Sequence, residues 1–279
     1  MATVTQAQIT DYVTRNIPDF HKAKLEGLKK LQLLKLLSKK NPYLLKAKGL
    51  SSPRDLVKTI LDAFLSSQEE TMLGGFLEGL AVFTAENAQG AKGKSSTTGI
   101  DIEMDKAGTR YFMAIKSGPA WGNSSQIAKM RGDFNTAAKV YRQNKNALPV
   151  RCVNGCCYGK QAEDSEDKGD YLKLCGQRFW EFVSDDTEFY VKIVEPIGHK
   201  AKERNEEFMA QYEVVVDAFT EVFREHFCDS NNLIMWDKLV KHSSQAPSRI
   251  AGKSKSSTCG KAGDLEKAER LKAAKPFGG

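Results

Sequence analysis

No stretch of this chain approaches the roughly 20 apolar residues that a membrane-spanning helix needs, so no membrane partner is expected. The first residues, MATVTQAQITDYV, lack the basic-then-apolar pattern of a secretory leader, and the expectation is a cytoplasmic protein. Histidine is scarce: the residues at 21, 199, 226 and 242 form no constellation. The six cysteines, at 152, 156, 157, 175, 228 and 259, lack the paired C-x-x-C spacing with neighbouring histidines of a zinc site. Three of them fall in the apolar run Val150 to Tyr158, where cysteine is expected as a reduced, buried small hydrophobe. No glycine-rich phosphate loop and no G-x-S-x-G elbow is present, which argues against nucleotide-driven and serine-hydrolase chemistry. There is no internal repeat.

What remains is 279 residues of a globular balance, 41% hydrophobic and 28% charged, long enough for one large or two small cored domains. The formal charge is +7. Lysines crowd two regions: Lys22 to Lys48 near the start, and Lys253 to Lys275 at the end. Clustered positive charge suits a polyanion, of which nucleic acid is the commonest, although each cluster alone also reads as a solvated helix face.

The most informative segment is GIDIEMDKAGTRYFMAIKSGPAWGNSSQ, from Gly99 to Gln126. Ile100 to Met104 alternates, which predicts a strand with Asp101 and Glu103 on one face and the apolar side chains on the other. Asp105 to Gly108 is turn chemistry, and Tyr111 to Lys116 predicts the returning strand, with Ala114 and Lys116 on a shared face. Such a hairpin brings Asp101 and Lys116 together at one end of a sheet. A carboxylate holds a divalent cation and a lysine steadies negative charge, the ingredients of metal-dependent phosphodiester cleavage. From spacing alone the pair reads first as a solvated cross-strand ion pair.

Asp101 followed by Ile115-Lys116 resembles the core motif of PD-(D/E)XK nucleases. The strings FLEGLAVF, IKSGPAWGNSSQI, VNGCCYGK, KGDYLKLCGQRFWEF and EPIGHKAKERNEEF are similar to those of PmeII-type type II restriction endonucleases, over roughly residues 41–239. The resemblance implies an α/β fold with a restriction-endonuclease-like mixed sheet flanked by helices, and an N-terminal helical region. It implies magnesium-dependent, sequence-specific hydrolysis of double-stranded DNA by a homodimer, functionally paired with a DNA methyltransferase. Asp101 would be the main metal ligand, with the Ile115 carbonyl beside it, and Lys116 would stabilise the attacking hydroxide.

The PD-(D/E)XK pattern expects a carboxylate two residues before the lysine, where this chain has Ala114. Two residues are candidates to replace it. Glu78 is a lone charge among Phe76, Leu77, Leu80 and Val82 on an apolar helix, where it needs a partner such as a metal or Lys116. The helix before the hairpin often supplies such a glutamate in this superfamily, so the resemblance favours Glu78. Glu103 is the alternative, on the Asp101 face. The missing acid also leaves open a catalytically weakened, nuclease-like DNA-binding protein, or a nicking or repair nuclease acting as a monomer.

The loop after Lys116 is rich in small residues and amides, and Trp121, Asn123, Ser124, Ser125, Gln126 and Lys129 are expected to face DNA, with Asn154 and Lys160 further on. Trp121 reads equally as a core residue. Helices are expected over residues 5–40, broken near Pro18, over 54–67, through Glu78, from a Ser124 cap onward, and over 201–227, the first and last of these serving as dimerisation surfaces. Residues 89–98 read as a mobile loop, and strands are expected near 150–158 and 191–197. The organisation predicted is a helical region over 1–60, a nuclease core over 61–242 and a basic tail over 243–279.

Overall fold

A computed structural model describes residues 4–162 and 166–246. The elements, in chain order, are helices α1 (Gln6–Lys29), α2 (Leu33–Leu37), α3 (Pro42–Ala47) and α4 (Pro53–Gln89), strands β1 (Ile102–Lys106) and β2 (Thr109–Lys116), helix α5 (Ser124–Tyr141), and strands β3 (Val150–Cys156) and β4 (Leu172–Cys175). Helices α6 (Gln177–Ser184), α7 (Phe189–Lys192), α8 (Val194–Ile197), α9 (Ala201–Phe227) and α10 (Trp236–Ser244) complete the chain. The described residues fall into two compact units, one from 4–21 and 70–201, the other from 22–69 and 202–246.

The first unit holds the sheet, ordered β1-β2-β3-β4, with β1 antiparallel to β2 and the other neighbours parallel. Helix α5 is the crossover that parallel pairing of β2 and β3 demands. One face of the sheet, carrying Ile102, Met104, Met113, Ile115 and Val153, packs with Ile9, Val13 and Ile17 of α1, Leu80 and Ala81 of α4, and Phe179 and Trp180 of α6. The other face, with Phe112, Ala114 and Cys152, packs with Met130, Phe134 and Ala137 of α5. The sheet is therefore covered on both sides, as a mixed α/β sheet must be.

The hairpin turn uses two residues, Ala107 and Gly108, both at positive φ (49° and 73°), the requirement of a type I′ turn that matches strand twist. Just before β1 the ladder slips. Ile102 pairs with Met113, yet the Asp101 N–H also donates to the Met113 carbonyl (2.7 Å). The slip takes Ile100 out of the expected alternation and buries it on the α5 side rather than beside Ile102 and Met104. Gly99 makes the slip possible: its φ is +75°, and a Cβ there would collide with the Asp133 carboxylate. Gly99→Ala is expected to cost about 1–3 kcal/mol of stability, seen as a lower urea midpoint at unchanged m-value.

Several expectations are corrected. Pro18 sits inside an unbroken α1, and the helices expected over 54–67 and through Glu78 are one unbroken α4. The small residues of α4 serve close packing: a Cβ on Gly79 would meet the Tyr12 hydroxyl at 2.7 Å, and one on Gly74 would touch Ser117 at 3.4 Å. Asn41 caps α3, its Oδ1 accepting from the Tyr43 and Leu44 N–H groups with Pro42 at the first position. Residues 191–197 form α7 and α8 rather than a strand; Pro196, inside α8, has no N–H to give a ladder. Strand β4 was hidden in a polar-flanked four-residue segment.

In the second unit α9 buries Phe208, Tyr212, Val215, Val216, Phe219 and Phe223 with Leu28, Leu33, Leu37, Leu56, Val57 and Ile60. Both apolar stripes expected to join two copies are consumed in this chain's own cores, so a dimer would have to use other surfaces. The five described cysteines are free and buried, and burial pushes the Cys152 thiol up to about 11 and the Cys157 thiol up to about 12, which keeps those two protonated and inert. Of the tail expected over 243–279, Ser243 and Ser244 belong to α10, and residues 247–279 lie outside the described residues.

Candidate active site

The hairpin sets Asp101 at the start of β1 and Lys116 at the end of β2. Asp101 Oδ2 accepts a hydrogen bond from the Ile115 N–H (2.7 Å), which locks the carboxylate against the strand that carries Lys116. Burial raises the Asp101 pKa, the Ile115 N–H opposes that rise, and the charge of Glu78 adds to it while Lys116 and Lys94 counter it. Three charged side chains thus bear on Asp101: Glu78, Lys116 and Lys94.

Glu78 comes from the middle of α4 and is half-buried, with 27% of its side chain exposed. Its Oε1 lies 2.6 Å from Lys94 Nζ. Glu103, the alternative, is differently engaged. Its Oε1 accepts from Ser95 Oγ (2.5 Å) and Thr97 Oγ1 (2.7 Å), and its Oε2 lies 3.6 Å from Arg110 Nη2. With two hydroxyls and a guanidinium on it, Glu103 pins the segment after α4 onto the hairpin. That segment, expected to be mobile, is held at Glu103, at Ile102 through a bridge with Lys94, and by the Ser95 N–H on the Asp101 carbonyl (2.9 Å).

Ala114 fills the slot of the missing carboxylate. It is 1% exposed among Ile100, Phe112, Met130 and Phe134, so the side chain at this position belongs to the core beneath α5.

The loop between β2 and α5 is built around Trp121. Its Nε1 donates to Asn154 Oδ1 (3.0 Å), and Asn154 Nδ2 donates to the Ala114 carbonyl (3.3 Å). Lys116 Nζ stands 5.2 Å from the Trp121 ring centre, within cation–π range. Asn154 is therefore corrected from a DNA-facing residue to a positioning one: at 1% exposure it reaches no ligand, but it seats the indole beside Lys116. Backbone approach holds the same loop down, since a Cβ on Gly118 would enter the Tyr158 ring and Lys173 Nζ donates to the Pro119 carbonyl (2.8 Å).

Asn123, not Ser124, caps α5. A capping box joins it to Gln126, each accepting from the other's N–H at 3.0 Å. Asn123, Ser124, Ser125, Gln126 and Lys129 are exposed along the start of α5, with Lys129 paired to Asp133 at 2.7 Å. Lys160 is exposed at the rim of a cavity of about 700 Å³ at the carboxyl ends of β3 and β4, floored by Cys157, Trp180 and Ile193.

Among the described residues no three His, Cys, Asp or Glu side chains gather into a metal cage. The residues here that could hold a divalent ion are Asp101 and Glu78, hard oxygen donors of the kind magnesium accepts because it keeps most of its waters.

The sequence model of the type II restriction endonuclease EcoO109I family matches residues 7–205, more than two-thirds of the chain. This chain belongs to that family. The match spans the whole hairpin, the Trp121 loop and α4, and makes the chain a type II restriction endonuclease by family. Members of the family act on double-stranded DNA, and the mixed sheet with its flanking helices is the restriction-endonuclease-like α/β fold. No curated protein matches the chain. No described helix is long and apolar enough to cross a membrane.

Two features escaped sequence reasoning. Lys94 lies in a glycine-, lysine- and serine-rich stretch with no periodicity to mark it. Trp121 and Asn154 are 33 residues apart, and only the parallel register of β2 and β3 brings them together.

Proposed function

We propose that this endonuclease hydrolyses specific sites in double-stranded DNA with magnesium, in the manner of the PmeII-type enzymes its strings resemble. The observation that carries the reading is the Asp101 carboxylate, locked by the Ile115 N–H and lying within electrostatic reach of both Glu78 and Lys116. Asp101, Glu78 and the Ile115 carbonyl would hold the metal. When bound, it polarises the scissile phosphate and supplies a water of lowered pKa. Lys116, set in place by the Trp121 ring, steadies the negative charge that builds on the phosphate. The exposed first turn of α5, from Asn123 to Gln126, presents amides, hydroxyls and helix N–H groups to backbone and base edges, with Lys129 and Lys160 adding positive charge. Trp121, half-buried, flanks the same approach. A palindromic target calls for a two-fold homodimer, one subunit per strand, working in the cytoplasm beside a DNA methyltransferase that protects the host sites.

Ala114 favours one other reading: a nuclease-like protein that binds DNA without cutting it. Plasmid DNA of mixed sequence, incubated with the protein and magnesium, separates the two. Discrete linear fragments are expected. Shifted but intact DNA would establish the binding protein, and open circles alone would establish a nicking enzyme acting on one strand.

A further inference from the structure

The cleavage chemistry proposed above uses one lysine beside the carboxylates, and two stand there. Lys94 Nζ lies 2.6 Å from Glu78 Oε1, and its charge also reaches Asp101. Its backbone is fixed, bridged antiparallel to Ile102 at the edge of β1 and followed by Ser95 and Thr97 anchored on Glu103. Its side chain is not buried: 65% is exposed, so the ammonium is presented from the solvent side by a long arm on a pinned base.

Two carboxylates in one half-buried site repel, and Glu78 already raises the pKa of Asp101. The Lys94 ammonium answers part of that charge. An ammonium 2.6 Å from Glu78 Oε1 and a divalent ion at about 2.1 Å from the same carboxylate repel each other and compete for its charge.

We propose that Lys94 is a built-in counter-cation that occupies Glu78 in the metal-free enzyme and must be displaced before a divalent ion binds. This rests on reading Asp101 and Glu78 as the metal pair. Its consequence is coupling: the released ammonium needs another anion, and a DNA phosphate at the site is the nearest one in chemistry and place. Metal and DNA then strengthen each other's binding, because each removes Lys94 from the other's cost.

The test is manganese binding to the full-length protein without DNA, read from the free-ion EPR signal. The proteins compared are the wild type, Lys94→Met, Lys94→Gln and Asp101→Asn. Removing an opposite charge this close to a carboxylate is worth about one to three powers of ten in what that carboxylate binds, so both Lys94 variants are expected to bind manganese at least about tenfold more tightly. Asp101→Asn is expected to lose the site. Manganese affinity equal to or weaker than wild type in folded Lys94→Met and Lys94→Gln, with binding still dependent on Asp101, overturns the role of Lys94 and leaves the metal pair standing. Binding that survives Asp101→Asn, or that is detectable in none of the proteins, overturns the metal pair and this inference with it.

Discussion

Lys116→Ala is expected to lower the single-turnover cleavage rate by about a hundredfold to a thousandfold, close to 3–4 kcal/mol of transition-state stabilisation. The lysine sits at the last position of β2, half-buried, with its ammonium 5.2 Å from the Trp121 ring and within electrostatic reach of Asp101. Removing it takes away a preorganised positive charge and leaves the strand intact, because its backbone carbonyl still accepts from the Cys157 N–H (3.0 Å). Specific DNA binding, measured by gel shift in calcium, is expected to change little. Near-normal cleavage by a folded Lys116→Ala protein would remove the lysine from the chemistry. A matched loss of binding would make it a DNA contact instead.

The hairpin was legible because its chemistry is local. Alternation, a two-residue turn ending in glycine, and apolar positions two apart are all written within fifteen residues, and Ile102, Met104, Met113 and Ile115 fall on the face they predict. The ladder slip at Asp101 was not legible. It depends on Gly99 at positive φ and on Asp133, which arrives from α5 more than thirty residues later. The slip is why Asp101 and Glu103, two apart on a strand, end in different surroundings: one against Ile115 and near Glu78, the other on the hydroxyls of Ser95 and Thr97.

Helix breaks misled for a related reason. Proline and glycine signal breaks by local cost, and packing can outweigh that cost. Gly79 stays inside α4 because Tyr12 occupies the space a side chain would need. Likewise an apolar stripe says that a face is buried but not by what. The stripes of α1 and α9 read equally as dimer surfaces until their partners, Leu80 and Phe179 for one and Leu56 and Ile60 for the other, are seen within the same chain. Amide side chains carry the same ambiguity. Asn123, Gln126 and Asn154 have one chemistry, yet the first two cap an exposed helix start and the third is sealed under an indole.

Glu78→Gln is expected to be far more damaging to cleavage than Glu103→Gln, by on the order of a hundredfold in rate at limiting magnesium. Glutamine keeps the size of the side chain and one hydrogen-bonding oxygen but removes the charge a divalent cation needs. At position 78 that charge belongs to the group acting on Asp101, and its loss frees Lys94 without restoring a second carboxylate. At position 103 the two hydroxyls of Ser95 and Thr97 still find an oxygen acceptor in glutamine, so the segment stays pinned. The cost there is the weakened pairing with Arg110, which is itself shared with Asp105 at 3.2 Å. A loss of about 1 kcal/mol in stability is expected, with cleavage close to wild type. Magnesium titrations under single-turnover conditions discriminate, because raising magnesium should partly rescue Glu78→Gln if the lost charge is a ligand's. If Glu103→Gln is dead and Glu78→Gln cuts normally, the second carboxylate comes from the strand, and the hydroxyls on Glu103 must release it when DNA and metal arrive. If both cut normally, Asp101 and Lys116 carry the reaction without a second acid, and the buried alanine at 114 marks a nuclease that has dispensed with it.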